Sequence, residues 1–184
     1  ILGGGKTVIF VDPFFEKNDH SNKTSDLANI LKTLNINYNS NIILDGAQAT
    51  RLQTQQNISD NTSLQTILKL NWPEVRGQFI NQSEEIGNGL SLIRLVSAGG
   101  LAPLNEDSQI SYIPLISSSE VTMDLPMREV HDPIKLINNF NQTGTTYDFG
   151  VKLSGKTSSS FNGFEFIKDD HIDKSVEDIN VVLF

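Results

Sequence analysis

The run Lys6-Thr7-Val8-Ile9-Phe10-Val11 constrains this chain more than any other feature. It is short, apolar and rich in β-branched residues. Gly3-Gly4-Gly5 open it and Asp12-Pro13 close it. Such a run predicts a strand covered on both faces, as inside a parallel sheet. Thr24 or Ser25 is placed to cap a helix that carries Leu27, Ile30, Leu31 and Leu34 along one side. The four asparagines between Asn35 and Asn41 then predict a turn, and Ile42-Ile43-Leu44 a second strand ending at Asp45-Gly46. Strand, helix and strand in this order predict a βαβ unit with a right-handed crossover.

The remainder is richer in strands than in helices. Gln48 to Asp60 is polar and reads as a strand or two with an exposed loop. Short strands are predicted around Gln78–Ile80, over Leu90–Val96, and over Ile110–Ser117, where Pro114 requires an edge position or a bulge. Pro133–Phe140 predicts a short helix of imperfect spacing. Tyr147–Leu153 alternates with the two-residue period of a half-buried strand, and Ile179–Phe184 reads as a final buried one. Between these two lies a Ser/Gly loop, Gly155–Gly163. No long linker divides the chain, so residues 1–184 are expected to form one α/β domain.

Charge and composition exclude several functions. Fourteen basic against 22 acidic side chains leave a net charge of −8, and the pI is near 4.8, the wrong sign for nucleic acid or an anionic membrane surface. The four arginines, Arg51, Arg76, Arg94 and Arg128, are scattered along the sequence. Without cysteine there is no thiolate nucleophile and no disulfide or Cys–zinc framework. No apolar stretch approaches the ~20 residues of a membrane span. The chain opens without Met and closes on the apolar Val181-Val182-Leu183-Phe184, so it is expected to be an excerpt of a longer polypeptide, with any membrane anchor outside it.

Gly5-Lys6-Thr7 is followed by a strand, whereas a phosphate loop needs a helix there to aim its N-terminus at the phosphate. His20, His131 and His171 lack metal-type spacing, and Asp169 to Asp173 lacks the glycine and alternating acceptors of a calcium loop. No G-x-S-x-G elbow occurs, and the sequence assigns no base to Ser158-Ser159-Ser160. Asn22, Asn57, Asn61, Asn81 and Asn141 head N-x-[ST] triplets, read here as loop markers in an Asn-rich chain. The expectation is a non-enzyme with no catalytic residue, metal or cofactor.

Candidate binding residues follow from the strand reading. In open α/β sheets, ligands sit beyond the carboxyl ends of the strands. This singles out Asp12 as an acceptor, Phe14 or Phe15 as an apolar wall, Glu16, and Asp45 after the second strand. The plainer reading of Asp12-Pro13 is a turn in which Asp accepts backbone N–H groups. A carbohydrate-binding or carbohydrate-processing hydrolase-like domain is the alternative function. It needs Asp12 and Asp45 to converge within about 5–10 Å.

The sequence also resembles a known family. Gly4-Gly5-Lys6-Thr7-Val8-Ile9-Phe10-Val11-Asp12-Pro13, then Ser25-Asp26-Leu27-Ala28-Asn29-Ile30-Leu31-Lys32-Thr33-Leu34-Asn35-Ile36 and Asn41-Ile42-Ile43-Leu44-Asp45, are similar to the ABC-transporter auxiliary domain, as is Gly155-Lys156-Thr157-Ser158-Ser159-Ser160-Phe161. Asn35 stands where the family's turn usually has Gly, and Ser160 where it has Ala. The resemblance implies a flavodoxin-like or class I amidotransferase-like three-layer domain with a mixed, mostly parallel sheet, truncated at both ends, plus additional strands. It also implies an extracytoplasmic, periplasmic-side component of an ABC-type export or gliding-motility system. That component would partner permease and ATPase subunits and be held at the membrane by segments outside this stretch.

Overall fold

A computed structural model describes residues 1–11, 26–58, 61–130, 132–161 and 171–184. In chain order its elements are β1 (Lys6–Ile9), α1 (Asp26–Thr33), β2 (Ile36–Asn39), β3 (Ile42–Asp45), β4 (Ala49–Ile58), β5 (Asn61–Arg76), β6 (Leu92–Arg94), β7 (Gly100–Pro103), β8 (Ile110–Ser117), β9 (Thr122–Leu125), α2 (Pro133–Asn139), β10 (Asp148–Gly155) and β11 (Ile179–Leu183). A six-stranded sheet runs β1-β11-β10-β7-β2, with β8 also paired to β10. β3 and β9 form a separate ribbon, and β4, β5 and β6 a third, meandering sheet.

This overturns the expected three-layer, flavodoxin-like α/β fold. Among the described residues only β1 and β11 pair in parallel; the other pairings are antiparallel. β1 lies at the rim of its sheet, with Val8 57% exposed, instead of between two helical layers. The segment Asn35–Asn41, expected to turn, contains β2, which runs opposite to β1 in the same sheet with three strands between them. The predicted βαβ crossover is therefore replaced by an antiparallel arrangement. A strand's apolar run says that it packs somewhere, and the tertiary partners decide on how many faces.

The helix reading holds. Leu31 and Leu34 are buried and Leu27 and Ile30 half-buried, all against the sheet. The helix ends where Asn35 adopts a left-handed backbone, φ 60°, which Asn tolerates better than most residues with a β-carbon. Its side-chain amide then accepts from Asn105 N (2.9 Å) and donates to Asn105 O (2.8 Å). Asn at this turn thus adds a tether between α1 and the β7–β8 loop that Gly lacks the atoms to make.

Three apolar clusters hold the layers together. Leu31 of α1 and Leu34 just after it cover one face of the large sheet, meeting Val151, Leu153, Val181 and Leu183. On the opposite face Ile116, Phe149 and Val182 meet Ile43 of β3 and Val75 of β5. Beyond β3, Ile42 and Leu44 pack on Leu70, Val130 and Leu136 of α2. β3 is covered on both sides: Ile42, Ile43, Leu44 and Asp45 are all 0% exposed.

Smaller expectations fall on both sides. Pro114 does sit beside a register irregularity, where Val151 pairs with Pro114 and Gly150 with Ile116. Such a slip reverses the faces along β10 and sends Phe149 to the side opposite Val151. Gln78–Ile80, expected as a strand, is a one-turn helix over Gly77–Phe79 followed by an isolated bridge from Ile80 to Ile116. Within Leu90–Val96 only Leu92–Arg94 pair as a strand. α2 is capped by Asp132, which accepts from Ile134 N and Lys135 N, and it buries only Leu136, hence its imperfect spacing. The capping residues proposed for α1, Thr24 and Ser25, lie outside the described residues.

Candidate functional site

Of the residues that the sequence proposed, Asp12, Phe14, Phe15 and Glu16 lie outside the described residues, and Asp45 lies within them. Asp45 ends β3 with its carboxylate enclosed. Oδ1 accepts from Ala47 N (3.0 Å), Gln48 N (2.9 Å) and Ser119 Oγ (2.7 Å). Oδ2 accepts from Ser119 N (2.8 Å) and Gln48 Nε2 (3.1 Å). Five donors converge on one carboxylate, so its lone pairs are used within the chain. What the arrangement does mechanically is fix the loop 46–48 against the loop that follows β8. Gly46 N donates to Val121 O (2.8 Å) and completes the clamp. A carbohydrate site needs a second carboxylate exposed in a cleft, and Asp45 does not present one.

The loop that Asp45 holds forms one wall of a cleft of about 370 Å³ lined by Ala47, Gln48, Ala49, Arg51, Glu74, Arg76 and Phe79. Gln48 O accepts from Glu74 N (2.7 Å), which sets the loop beside β5. Glu74 and Arg76 are two residues apart on β5 and share a face, and Arg94 of β6 stands directly across from Glu74 in the ladder. Arg76 pairs with Glu74 through Nε (3.0 Å) and a terminal nitrogen, and Arg94 pairs with the other carboxylate oxygen. Arg94 first, and Arg76 with it, hold the Glu74 carboxyl below its ordinary value, because both favour the ionised form. The Arg51 side chain has no hydrogen-bond or ion-pair partner among the described residues. Two of the four arginines, Arg76 and Arg94, thus meet on one carboxylate of the small meandering sheet, and a third, Arg51 of β4, lines the cleft beside it. Only the pairing of β4, β5 and β6 brings them together, and no sequence spacing announces that.

A second, more apolar cleft of about 820 Å³ lies between the start of the chain, α1 and the Ser/Gly loop, with Ile1, Ile30, Phe161 and Ile172 in its lining. At its wall His171 Nε2 is 2.8 Å from Ser159 Oγ. The sequence offered no base for this serine cluster, and the fold supplies one. Asp173 Oδ1, however, lies 4.0 Å from the same ring nitrogen, whereas a catalytic triad orients histidine through the other one. Ser159 is buried, its Oγ accepts from Phe161 N (3.1 Å), and its N–H donates to Asp173 O (2.8 Å). These bonds tie residues 157–161 to 171–175, with a bridge from Ser158 to Lys174 beside them. The pair acts as a fastener between two loops.

Among the described residues, no group of three or more His, Asp or Glu is placed to hold a metal ion. No helix among them is long and apolar enough to cross a membrane.

Comparison with known proteins gives a single finding: the model of a family described as ABC-type uncharacterized transport system matches residues 1–184, the whole chain. No curated protein and no solved structure matches.

Proposed function

The chain belongs to the ABC-type uncharacterized transport system family and is an auxiliary component of such a system; we propose that it is a non-catalytic one, on the extracytoplasmic side, that works by binding. The observation that carries this reading is the use made of Asp45. The one proposed site carboxylate among the described residues spends both oxygens on backbone and side-chain donors, and so builds the wall of a cleft. The cleft itself offers recognition groups: guanidinium forks, a carboxylate, an amide and the Phe79 ring. Its partners in this reading are the permease and ATPase subunits of the transport system, and membrane attachment comes from segments outside residues 1–184.

Co-purification from membranes tests it. The intact parent protein, tagged and solubilised gently, should retain permease and ATPase subunits, and protease added externally to spheroplasts, whose outer barrier is opened, should reach the domain. An Arg51→Ala, Arg76→Ala double variant should recover less of both subunits while its circular dichroism spectrum stays unchanged. Full recovery of both subunits with the double variant would refute a binding role for the cleft, and complete protection from external protease would refute the location.

A further inference from the structure

The arginine cleft beside the Asp45 loop has features that narrow what it accepts. Its charge stands out in a chain of net charge −8: Arg51 and Arg76 line the cleft beside Glu74, and Arg94 pairs with the same carboxylate from β6. Arg76 and Arg94 are engaged by Glu74, whereas the Arg51 fork, on an exposed residue, has no partner among the described residues. An unengaged fork at the mouth of a cleft fits a planar anion. The second observation is Gln48, which is only 7% exposed. Its Nε2 donates to Asp45 Oδ2 (3.1 Å), and its Oε1 is a buried acceptor without a donor among the described residues. A buried acceptor of this kind calls for an N–H group.

Phosphate is the obvious competitor for a cluster of arginines, and the loop argues against it. Phosphate sites in loops use free backbone N–H groups pointing at the anion. Here Gly46 N is bonded to Val121 O, and Ala47 N and Gln48 N to Asp45. Phe79 adds an apolar wall, and the volume of about 370 Å³ lies at the small end of ligand sites.

Building on the reading that the chain acts by binding through this cleft, we propose that the cleft receives a carboxylate with an N–H group beside it, the chemistry shared by an α-amino acid and a peptide's carboxyl terminus. Arg51 grips the carboxylate, Gln48 Oε1 accepts from the neighbouring N–H once the side chain shifts toward the ligand, and Phe79 flanks the attached side chain.

Titration of the full chain, followed by calorimetry or by NMR shifts, tests this with N-acetyl-glycyl-alanine, the same dipeptide as its carboxamide, free alanine and inorganic phosphate. The acid dipeptide or alanine should saturate with a dissociation constant on the order of 1 mM or tighter. The carboxamide should bind at least about tenfold more weakly, and phosphate no better than the carboxamide. Preference for alanine assigns a free amino acid, and preference for the acid dipeptide a chain terminus. Arg51→Ala should abolish saturation, and Arg51→Lys should restore only part of it, because a point charge replaces a fork. Equal binding of acid and carboxamide, phosphate binding as tightly as the acid, or an unaffected Arg51→Ala variant would overturn the proposal. Failure here with partner subunits still co-purifying in an Arg51-dependent way would remove the ligand class and leave the binding role standing.

Discussion

β1 and β3 look alike as sequence and sit in opposite circumstances. Each belongs to a short apolar run that leads into aspartate, Val8 to Val11 before Asp12 and Ile42 to Leu44 before Asp45. β3 is covered on one side by the large sheet and on the other by α2 and β5, and every residue in it is fully buried. β1 is a rim strand that, among the described residues, pairs only with β11, and it alternates between exposed and half-buried positions. The contrast shows that a continuous apolar run records how well a strand tolerates burial. How much burial it receives depends on elements far away in the chain, here β9, β5 and α2.

The contrast is open to direct test. The largest effect is expected at the end of the buried strand. Asp45→Ala removes the acceptor of five hydrogen bonds at a fully buried position, and stranding donors there should cost about 4 kcal/mol or more in urea unfolding. A cost under about 1 kcal/mol would show that the loops rearrange and that the clamp is dispensable. Ile43→Ala, which empties a site shared by β3 and the large sheet, should cost about 3 kcal/mol. Gly150→Ala should cost about 2 kcal/mol, since the added methyl would meet Phe184 at 2.7 Å, although that ring has some room to give. On the rim strand, Val8→Ala should change stability by less than about 0.5 kcal/mol. Equal losses for Ile43→Ala and Val8→Ala would erase the distinction between the two strands.

The smallest effect concerns pH. Arg94 and Arg76 hold the folded-state Glu74 carboxyl below its ordinary 4.5, so Glu74 contributes stability above that value and the contribution fades as pH falls through the folded value. Asp124, held low chiefly by Asn41, behaves in the same direction. Glu74→Gln should therefore shallow the loss of stability below about pH 4.5 and leave the neutral-pH slope unchanged. An unaltered acid limb would mean that the arginines gain nothing by pairing there.

What the sequence revealed was local. The face of α1 was legible because a helix repeats its apolar side within eight residues, and β3, β8, β10 and β11 because each is a compact apolar run. β2 was hidden by its asparagines: Asn37 and Asn39 alternate with Ile36 and Tyr38 as a strand requires, but turn-forming residues masked the period. β7 and β9 went unread because Gly100-Leu101-Ala102-Pro103 and Thr122-Met123-Asp124-Leu125 owe their pairing to β2 and β3 and have little strand character of their own. In the candidate site, Asp45 was legible as a residue at a strand's end, and its role as a clamp was not, because Ser119 is 74 positions away. The meeting of Arg76 and Arg94 on Glu74, with Arg51 in the adjoining cleft, required knowing the register of three strands.

The placement of β11 between β1 and β10 has a consequence for synthesis. A nascent chain emerging from the ribosome can zip up the β4–β5 ribbon early, because those partners are neighbours in sequence. The large sheet has to wait with a vacant lane until residues 179–183 appear, and only then can β1, translated long before, find its parallel mate. Until that moment Val181, Val182 and Leu183 have no counterparts and their future neighbours stay uncovered, so a ribosome stalled short of this segment would leave an unfinished sheet for chaperones to guard.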